Sequence, residues 1–581
     1  MTTPRAAFRS RGRTALVALT VAAALALVSP WRVPLSSDGL LLLRTAFALA
    51  FTGSFRLPPA APGAMLDPYT FLPAPGAVPG VVSVYAPFGA LLRAGLLVPA
   101  GVLPAGAVRG AVADALLGLV PILATAGAVF PLARLARFGG AGKKAAPLLA
   151  GALIVTTFLG PLGVSDFQEP VLVLLGAAAL ERALWARRLR GARRGRTLAA
   201  SSALLSLAIL SKPTVAVMLP ALLLGGVHRR RRGTRAGLGT FLLAAVPGVT
   251  LFFFLNAVRF GNPLASGYSH LLENPQARIA DPLWTFLRLT VLPNRGLLWF
   301  APLVLLAVWP TALRAWRGPR RTDRLAALVA AAALFATNLF WWAWEGGFCW
   351  GPRLLAPPVA VFVVLLPGRG SGWKRGAIVL SLAGIALNGS GYLLDCGRLY
   401  TAVAARPPGP LPLGPIAPIH RNPEYREGLH PLQRVHYVPE YACWIEAPRI
   451  LFRLLRTGEG PGTGGRPGDE RNDSLLLRLL RSQPVRPPVS STGQVLLEEA
   501  QVTADVDPPR ALKEALLAID FGGPPVECRA LGSMLLLRAG RPAEAARLCR
   551  EGLALEPGRA DLRQNLAIAE SRLRAAAGAT P

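Results

Sequence analysis

TLAASSALLSLAILSKPTVAVMLPALLLGGV, residues 197–227, lies between two basic clusters, ARRLRGARRGR at 186–196 and HRRRRGTR at 228–235. About 20 apolar residues cross a bilayer as a helix, so this stretch reads as one long crossing or two short ones. One crossing would put Arg193 and Arg194 on one side and Arg229 to Arg232 on the other. That opposes the preference of Lys and Arg for the cytoplasmic side. Two short spans with SKP (211–213) at their tip keep both clusters together. Pro213 disfavours helix at the residue before it, which places the break at Lys212. The hairpin reading sets the sidedness of every later segment.

The pattern recurs along the chain. Of 581 residues, 52% are hydrophobic and only 16% charged, with a mean hydropathy of +0.43. A soluble domain carries about 25% charged residues. A formal charge of +32 raises nucleic acid as a partner. The charges, however, punctuate apolar runs: RLARFGGAGKK at 134–144, the two clusters above, RAWRGPRRTDR at 314–324 and GRGSGWKR at 368–375. Cytoplasmic loops have this character, and no nucleic acid is expected.

With those loops inside, about eleven crossings follow. The first is ALVALTVAAALALVSPW at 15–31. Arg5, Arg9, Arg11 and Arg13 precede it, so a cleaved signal peptide competes, but no small-residue cleavage site stands out. A large outer loop spans about 32–108. Further spans lie near 110–133, 145–163, 168–185, the two halves of 197–227, 237–257, 296–313, 325–343, 351–367 and 376–394. The expected fold is an all-α integral membrane protein of the cell membrane, with a cytoplasmic N-terminus and an extracytoplasmic C-terminal region.

By this division residues 1–395 are the membrane domain and 396–456 an outer extension. Residues 457–494 are a Gly/Pro-rich linker and 495–581 a small helical region. Within the last, RALGSMLLLRAGRPAEAARLCREGLALEP (529–557) resembles a tetratricopeptide repeat, with Leu531-Gly532, Gly540, Ala545 and Pro557 near the pattern's positions. A plain amphipathic bundle is the competing reading, and a protein partner could dock on either. Cys349, Cys396, Cys443, Cys528 and Cys549 all fall on or near the outer side. Their number is odd and none has metal-site spacing. No cofactor is required, and a divalent cation stays open.

Four outer segments carry residues that a purely structural membrane protein does not need. In SSDGLLLLRTAFALAFTGSF (36–55), Asp38 follows the first span and is suited to general-base work; on spacing alone, helix capping is the simpler reading. In SDFQEP (165–170), Asp166 and Glu169 open the fourth span, where a helix N-terminus also favours acids. SKP and RFGNPLASGYSH (259–270) supply Lys212, Arg259, Tyr268 and His270. Bases on the disfavoured face suit a phosphate, with snorkelling the alternative. In FWWAWEGGFCWGPRLL (340–355), a tryptophan belt accounts for Trp341 and Trp342 but not for Glu345, the glycines, Trp350 and Arg353.

Taken in order, these segments resemble the GT-C superfamily of polyprenyl-phosphate-sugar-dependent glycosyltransferases. The branch they are most similar to holds protein O-mannosyltransferases and the lipid A aminoarabinose transferase. The resemblance covers about residues 10–395. It rests on Ser37-Asp38-Gly39 through Gly53, SVYAPFGALL (83–92) with Tyr85, LSKPTVAVMLP (210–220), RFGNPLASGY (259–268), PNRGLLWFAPL (293–303) and WWAWEGGFCWGPRLLAPPVAV (341–361). It implies sugar transfer from a polyprenyl-phosphate donor in the membrane lipid, with Asp38 as base and Lys212, Arg259 and Arg353 at the donor phosphate. Tyr85, Tyr268, His270, Glu345 and Trp350 would line the substrate pocket. Well-studied branches carry two acids in the first loop, whereas Gly39 follows Asp38 here; Glu169 or Asp67 would have to supply the second. A lipid-linked saccharide transporter, or an assembly scaffold using the helical tail, is the non-enzymatic alternative.

Overall fold

The apolar runs fold as helices in a computed structural model that describes residues 4–29, 37–57, 71–73, 81–165, 167–227, 234–267, 281–307, 320–341, 344–346, 349–366, 371–394, 396–404, 406, 412–413, 416, 431–457 and 490–578. In chain order the longer helices are α1 (Pro4–Val28), α2 (Ser37–Thr52), α3 (Phe88–Ala100), α4 (Ala107–Gly139), α5 (Ala145–Val155), α6 (Glu169–Ala186), α7 (Gly191–Ser211), α8 (Thr234–Phe260), α9 (Pro282–Thr290), α10 (Arg321–Leu339), α11 (Ser371–Asn388), α12 (Cys396–Ala404) and α13 (Cys443–Thr457). Five more follow: α14 (Ser491–Thr503), α15 (Pro508–Asp520), α16 (Pro525–Arg538), α17 (Pro542–Leu555) and α18 (Ala560–Gly578). The all-α expectation needs one amendment. Strands β1 (Phe71–Pro73) and β2 (Val81–Ser83) pair antiparallel in the first loop, Leu72 opposite Val82; three residues are too few to show a period of two. Among the described residues, Ala107–Gly139, Gly237–Phe260 and Arg321–Leu339 are long and apolar enough to cross a membrane. Shorter apolar helices, including Gly12–Val28 and Ala145–Val155, lie at other expected crossings. The fold is a multi-span, membrane-type array of helices with a helical bundle at its C-terminus.

The chain forms two units that interleave in sequence. One holds Met1–Pro30, Leu119–Phe254 and Ser269–Gln483; the other holds Trp31–Gly118, Leu255–Tyr268 and Pro484–Pro581.

In the first unit the charges gather at helix ends. Glu181 of α6 meets Arg134 at 3.2 Å and Arg182 at 3.3 Å. Asp323 of α10 meets Arg187 at 3.4 Å and Arg188 at 2.6 Å, and Arg324 donates to the Gly139 carbonyl. Glu169 starts α6 and Arg187 follows its last residue, so at 1.5 Å per residue these positions stand about 27 Å apart. The 197–227 segment reverses as its flanking charges predict. Helix α7 stops at Ser211, Lys212 is extended (φ −157°, ψ 108°), and a 3-10 turn over Pro213–Met218 begins the return. Arg194 Nη2 then donates to the Gly226 carbonyl at 3.4 Å. A Cβ on Gly226 would lie 3.0 Å from Leu198 and 3.2 Å from Ala183, so the two arms meet where only glycine fits comfortably.

In the second unit the C-terminal helices share a core with α2, α3 and the start of α4. Leu43, Phe47, Leu97, Ala113 and Leu117 pack with Leu496, Ala518 and Phe521. A Cβ on Gly110 of α4 would fall 1.9 Å from the Phe521 carbonyl oxygen, so the backbones touch. Asp114 Oδ1 accepts from the Thr492 hydroxyl at 2.6 Å and its N–H at 3.1 Å, and Gly106 N–H donates to the Asp520 carbonyl at 2.6 Å. Each of α14 to α18 packs on the next. The repeat-like sequence is the α16–α17 pair, turning at Gly540 (φ 71°).

Where α2 meets the bundle, Arg44 Nε stands 2.5 Å from Glu499 Oε1. Glu514 accepts from Arg510 Nε at 2.7 Å and from the Thr503 hydroxyl at 3.0 Å. Burial pushes the Glu499 carboxyl up to about 7, with Glu514 adding to the rise against the pull of Arg44 and Arg510. A carboxyl raised on folding is protonated in the folded state while its unfolded counterpart is ionised. Its stabilisation is full below about 4.5 and disappears as pH rises through about 7. Thermal unfolding of the bundle should therefore show stability falling across that window by at most about 3 kcal/mol. Glu499→Gln should flatten the dependence; an unchanged pH profile in that variant would assign the titration elsewhere.

Candidate functional site

Away from the basic ends of the first unit, α6 begins at Glu169, which is 2% exposed. Its Oε1 lies 3.5 Å from Lys212 Nζ, and its Oε2 has no hydrogen-bond partner among the described residues. The helix break at Lys212-Pro213 turns this ammonium toward the start of α6. Thr214, Thr337, Asn338 and Leu354 line the same small pocket. A buried carboxylate with one oxygen unsatisfied is costly, and a lysine beside it offers a charge that a ligand anion can share.

The second element is the turn-rich segment after α10. Arg353, 8% exposed, stacks its guanidinium 4.0 Å from the centre of the Phe167 ring. Phe167 stands two residues before Glu169, so Arg353 and the Glu169–Lys212 pair flank one turn. Two glycines shape the segment. Gly346 (φ 76°) would place a Cβ 2.8 Å from Arg353 Cγ, and Gly351 (φ 66°) would place one 2.8 Å from Phe158. Both need the left-handed region and the missing side chain. Trp350 Nε1 donates to Asn388 Oδ1 at 2.9 Å. Glu345 is 2% exposed and is among the charges felt by Arg288, whose guanidinium lies over Tyr437 and Trp344 at 4.5 and 5.2 Å.

Arg295, which the sequence does not single out, organises this segment. It is fully buried. It donates to the carbonyls of Cys349, at 2.7 Å, and Gly351, to the Tyr400 hydroxyl, and to His436 Nδ1 at 3.1 Å. Beside it, Asn294 donates to the carbonyls of Val435 and Val438, both at 2.8 Å. The available signal was the polar pair Asn294-Arg295 ahead of an apolar run, too brief to show which carbonyls it would serve.

The remaining candidates belong to the second unit or fall outside the described residues. Asp38 sits in the first turn of α2, its side chain outside the described set. Arg259, at the end of α8 and 3% exposed, donates to the carbonyls of Ser83 and Tyr85 and lies 4.6 Å from the Phe260 ring centre. Those contacts make it a brace for the turn bearing half-buried Tyr85. Tyr268 and His270, like Asp67 and Asp166, lie outside the described residues. Among the described residues no three His, Cys, Asp or Glu side chains converge as metal ligands.

No protein-family model matches this chain, and no curated protein matches it. Solved structures align weakly. The archaeal oligosaccharyltransferase AglB from Archaeoglobus fulgidus, in complex with an inhibitory peptide and a dolichol-phosphate, is 14% identical with a TM-score of 0.44. That alignment covers 68% of this chain and 57% of AglB, so the chain spans little more than half of that protein's length. ArnT from Cupriavidus metallidurans bound to undecaprenyl phosphate is 16% identical over 92% of this chain and 79% of that one, TM-score 0.44. Its apo form aligns over 94% and 80%, with the same identity and score. Likeness of this degree carries no argument about activity.

The Arg295 geometry makes its own prediction. Arg295→Met removes the guanidinium donor from the Cys349 and Gly351 carbonyls and leaves them the Tyr400 hydroxyl and the Arg353 N–H, a loss on the order of 1–3 kcal/mol. Detergent-solubilised protein should unfold several degrees lower. A shift under one degree would mean that the segment holds its shape without this guanidinium.

Proposed function

We propose that this protein is a membrane glycosyltransferase of GT-C type. It would move a sugar from a polyprenyl-phosphate donor to a lipid, glycan or protein acceptor on the extracytoplasmic face. One observation carries the reading: half-buried Lys212 paired with buried Glu169, and the buried Arg353, flank a single turn, away from the arginine-rich helix ends. Cytoplasmic loops are the basic ones, so that turn is assigned to the outer face. A lipid-borne phosphate arriving there from the membrane meets two cations in apolar surroundings, where charge-assisted hydrogen bonds are strong.

The roles follow from the chemistry. Asp38 takes the proton of the acceptor hydroxyl as its oxygen bonds to the anomeric carbon. The bond from that carbon to the phosphate oxygen breaks, and the lipid phosphate leaves with the electron pair. Lys212 and Arg353 stabilise the charge growing on it. Glu169 orients Lys212 and is the nearest carboxylate to the pocket. Arg259 supports the Tyr85 turn, while Tyr268, His270, Glu345 and Trp350 are assigned to the substrate pocket. A scaffold that recruits proteins through the tail is less well supported, because α14–α16 turn apolar side chains onto the first loop.

Asp38→Asn should abolish transfer, assayed in membranes with a panel of polyprenyl-phosphate sugars, while expression stays normal. Full activity in that variant removes Asp38 from the chemistry. Lys212→Ala and Arg353→Ala should each raise the donor KM at least tenfold and leave the acceptor KM unchanged; an unaltered donor KM in both would make these residues structural.

Sidedness is tested separately. In a variant lacking the native cysteines, Asn262→Cys and Ala539→Cys should react with an impermeant thiol reagent in intact cells, and Lys143→Cys only after lysis. Labelling of position 143 in intact cells would reverse the orientation.

A further inference from the structure

We propose that the C-terminal helical bundle acts on its own chain, as a clamp that positions α2 and, through it, Asp38. The contacts favour this over a tail reserved for partner proteins. Three independent features of the bundle engage α2 and the start of α4. The first is apolar: Phe47 and Leu43 of α2 share a core with Leu496 and Phe521, and Phe51 meets Phe521 edge-on, ring centres 5.7 Å apart. The second caps helix ends. Lys513 Nζ donates to the Phe51 carbonyl in the last turn of α2 at 2.7 Å, and Asp114 of α4 accepts from Thr492 at the start of α14. The third is the bare backbone contact at Gly110.

Helix α2 is held at its C-terminal half and ends cleanly, with Gly53 at φ 68° and its N–H donating to the Leu49 carbonyl at 3.1 Å, the left-handed stop that glycine favours. A helix fixed along half its length carries its first turn with it, because its hydrogen bonds make it a stiff rod. The bundle's own charges are nearly balanced, in contrast with the chain's +32. Its grip is therefore local, without the broad positive field that would draw it to an anionic surface.

The positioning half of this inference rests on the assignment of Asp38 as base; the clamping half does not. The test uses the full chain in detergent, with Gly110→Val as the strong perturbation and Arg44→Ala/Lys513→Ala as one that leaves the bundle core untouched. Hydrogen exchange of amides 37–52 reads the clamp, and steady-state transfer reads the consequence. Both variants should expose α2 to faster exchange, at least tenfold, and lower kcat with the donor KM unchanged, since Lys212 and Arg353 are not altered. Unchanged exchange in α2 in both variants overturns the clamp whatever the activity does. Faster exchange with unaltered kcat overturns the positioning role. Wild-type protein without any transfer defeats the glycosyltransferase reading, and exchange alone then decides the clamp.

Discussion

A charge cannot remain unpaired among apolar helices, and that constraint organises the first unit. Glu181, Asp323 and Glu169 are each nearly inaccessible, and each faces a basic side chain from another element. The pairs lie where helices begin or end, so the lengths between them stay apolar. Transfer of a lone carboxylate into such surroundings costs far more than one pair returns; pairing makes these acids tolerable rather than strongly stabilising. The consequence for function is geometric. The pairs that hold the arginine-rich ends together are separate from the Glu169–Lys212 pair at the break in the hairpin.

The turn-rich segment after α10 meets the same demand by other means. Residues around Gly351 are irregular backbone in the interior, and their carbonyls need donors that no helix supplies. Arg295 provides them with several N–H groups from one buried guanidinium. Its planar fork suits this better than a lysine would. The bond to His436 Nδ1 ties the segment before α13 into the same network. A segment built this way is rigid without regular structure, which suits a part that must present Arg353 beside Phe167.

Much of this was legible in the residues. The basic clusters around 197–227 called for a reversal, and Pro213 located it. Asp38, Lys212 and Arg353 stood out because charged groups on an apolar background demand a reason. The short ribbon of Phe71–Pro73 and Val81–Ser83 was not legible, being too brief for any period. Neither was Arg295, since an arginine near an apolar run looks alike whether it reaches headgroups or carbonyls. Arg259 reads as a phosphate ligand on the same grounds, and the sequence holds no sign that its Nη2 also donates to the Ser83 and Tyr85 carbonyls.

By itself, the sequence determined the helical class, the positions of the apolar runs and the break at Lys212. Those properties are local: length, hydropathy, charge and the stereochemistry of proline act within a few residues of one another. Only the tertiary structure decided that Glu169 meets Lys212, that Arg295 serves the Gly351 turn, and that helices beyond residue 490 pack on α2, α3 and the start of α4. Such contacts join residues from tens to hundreds of positions apart. They depend on which surfaces fit, as the missing Cβ of Gly110 fits the Phe521 carbonyl, and a pattern of apolar and charged residues holds no record of shape.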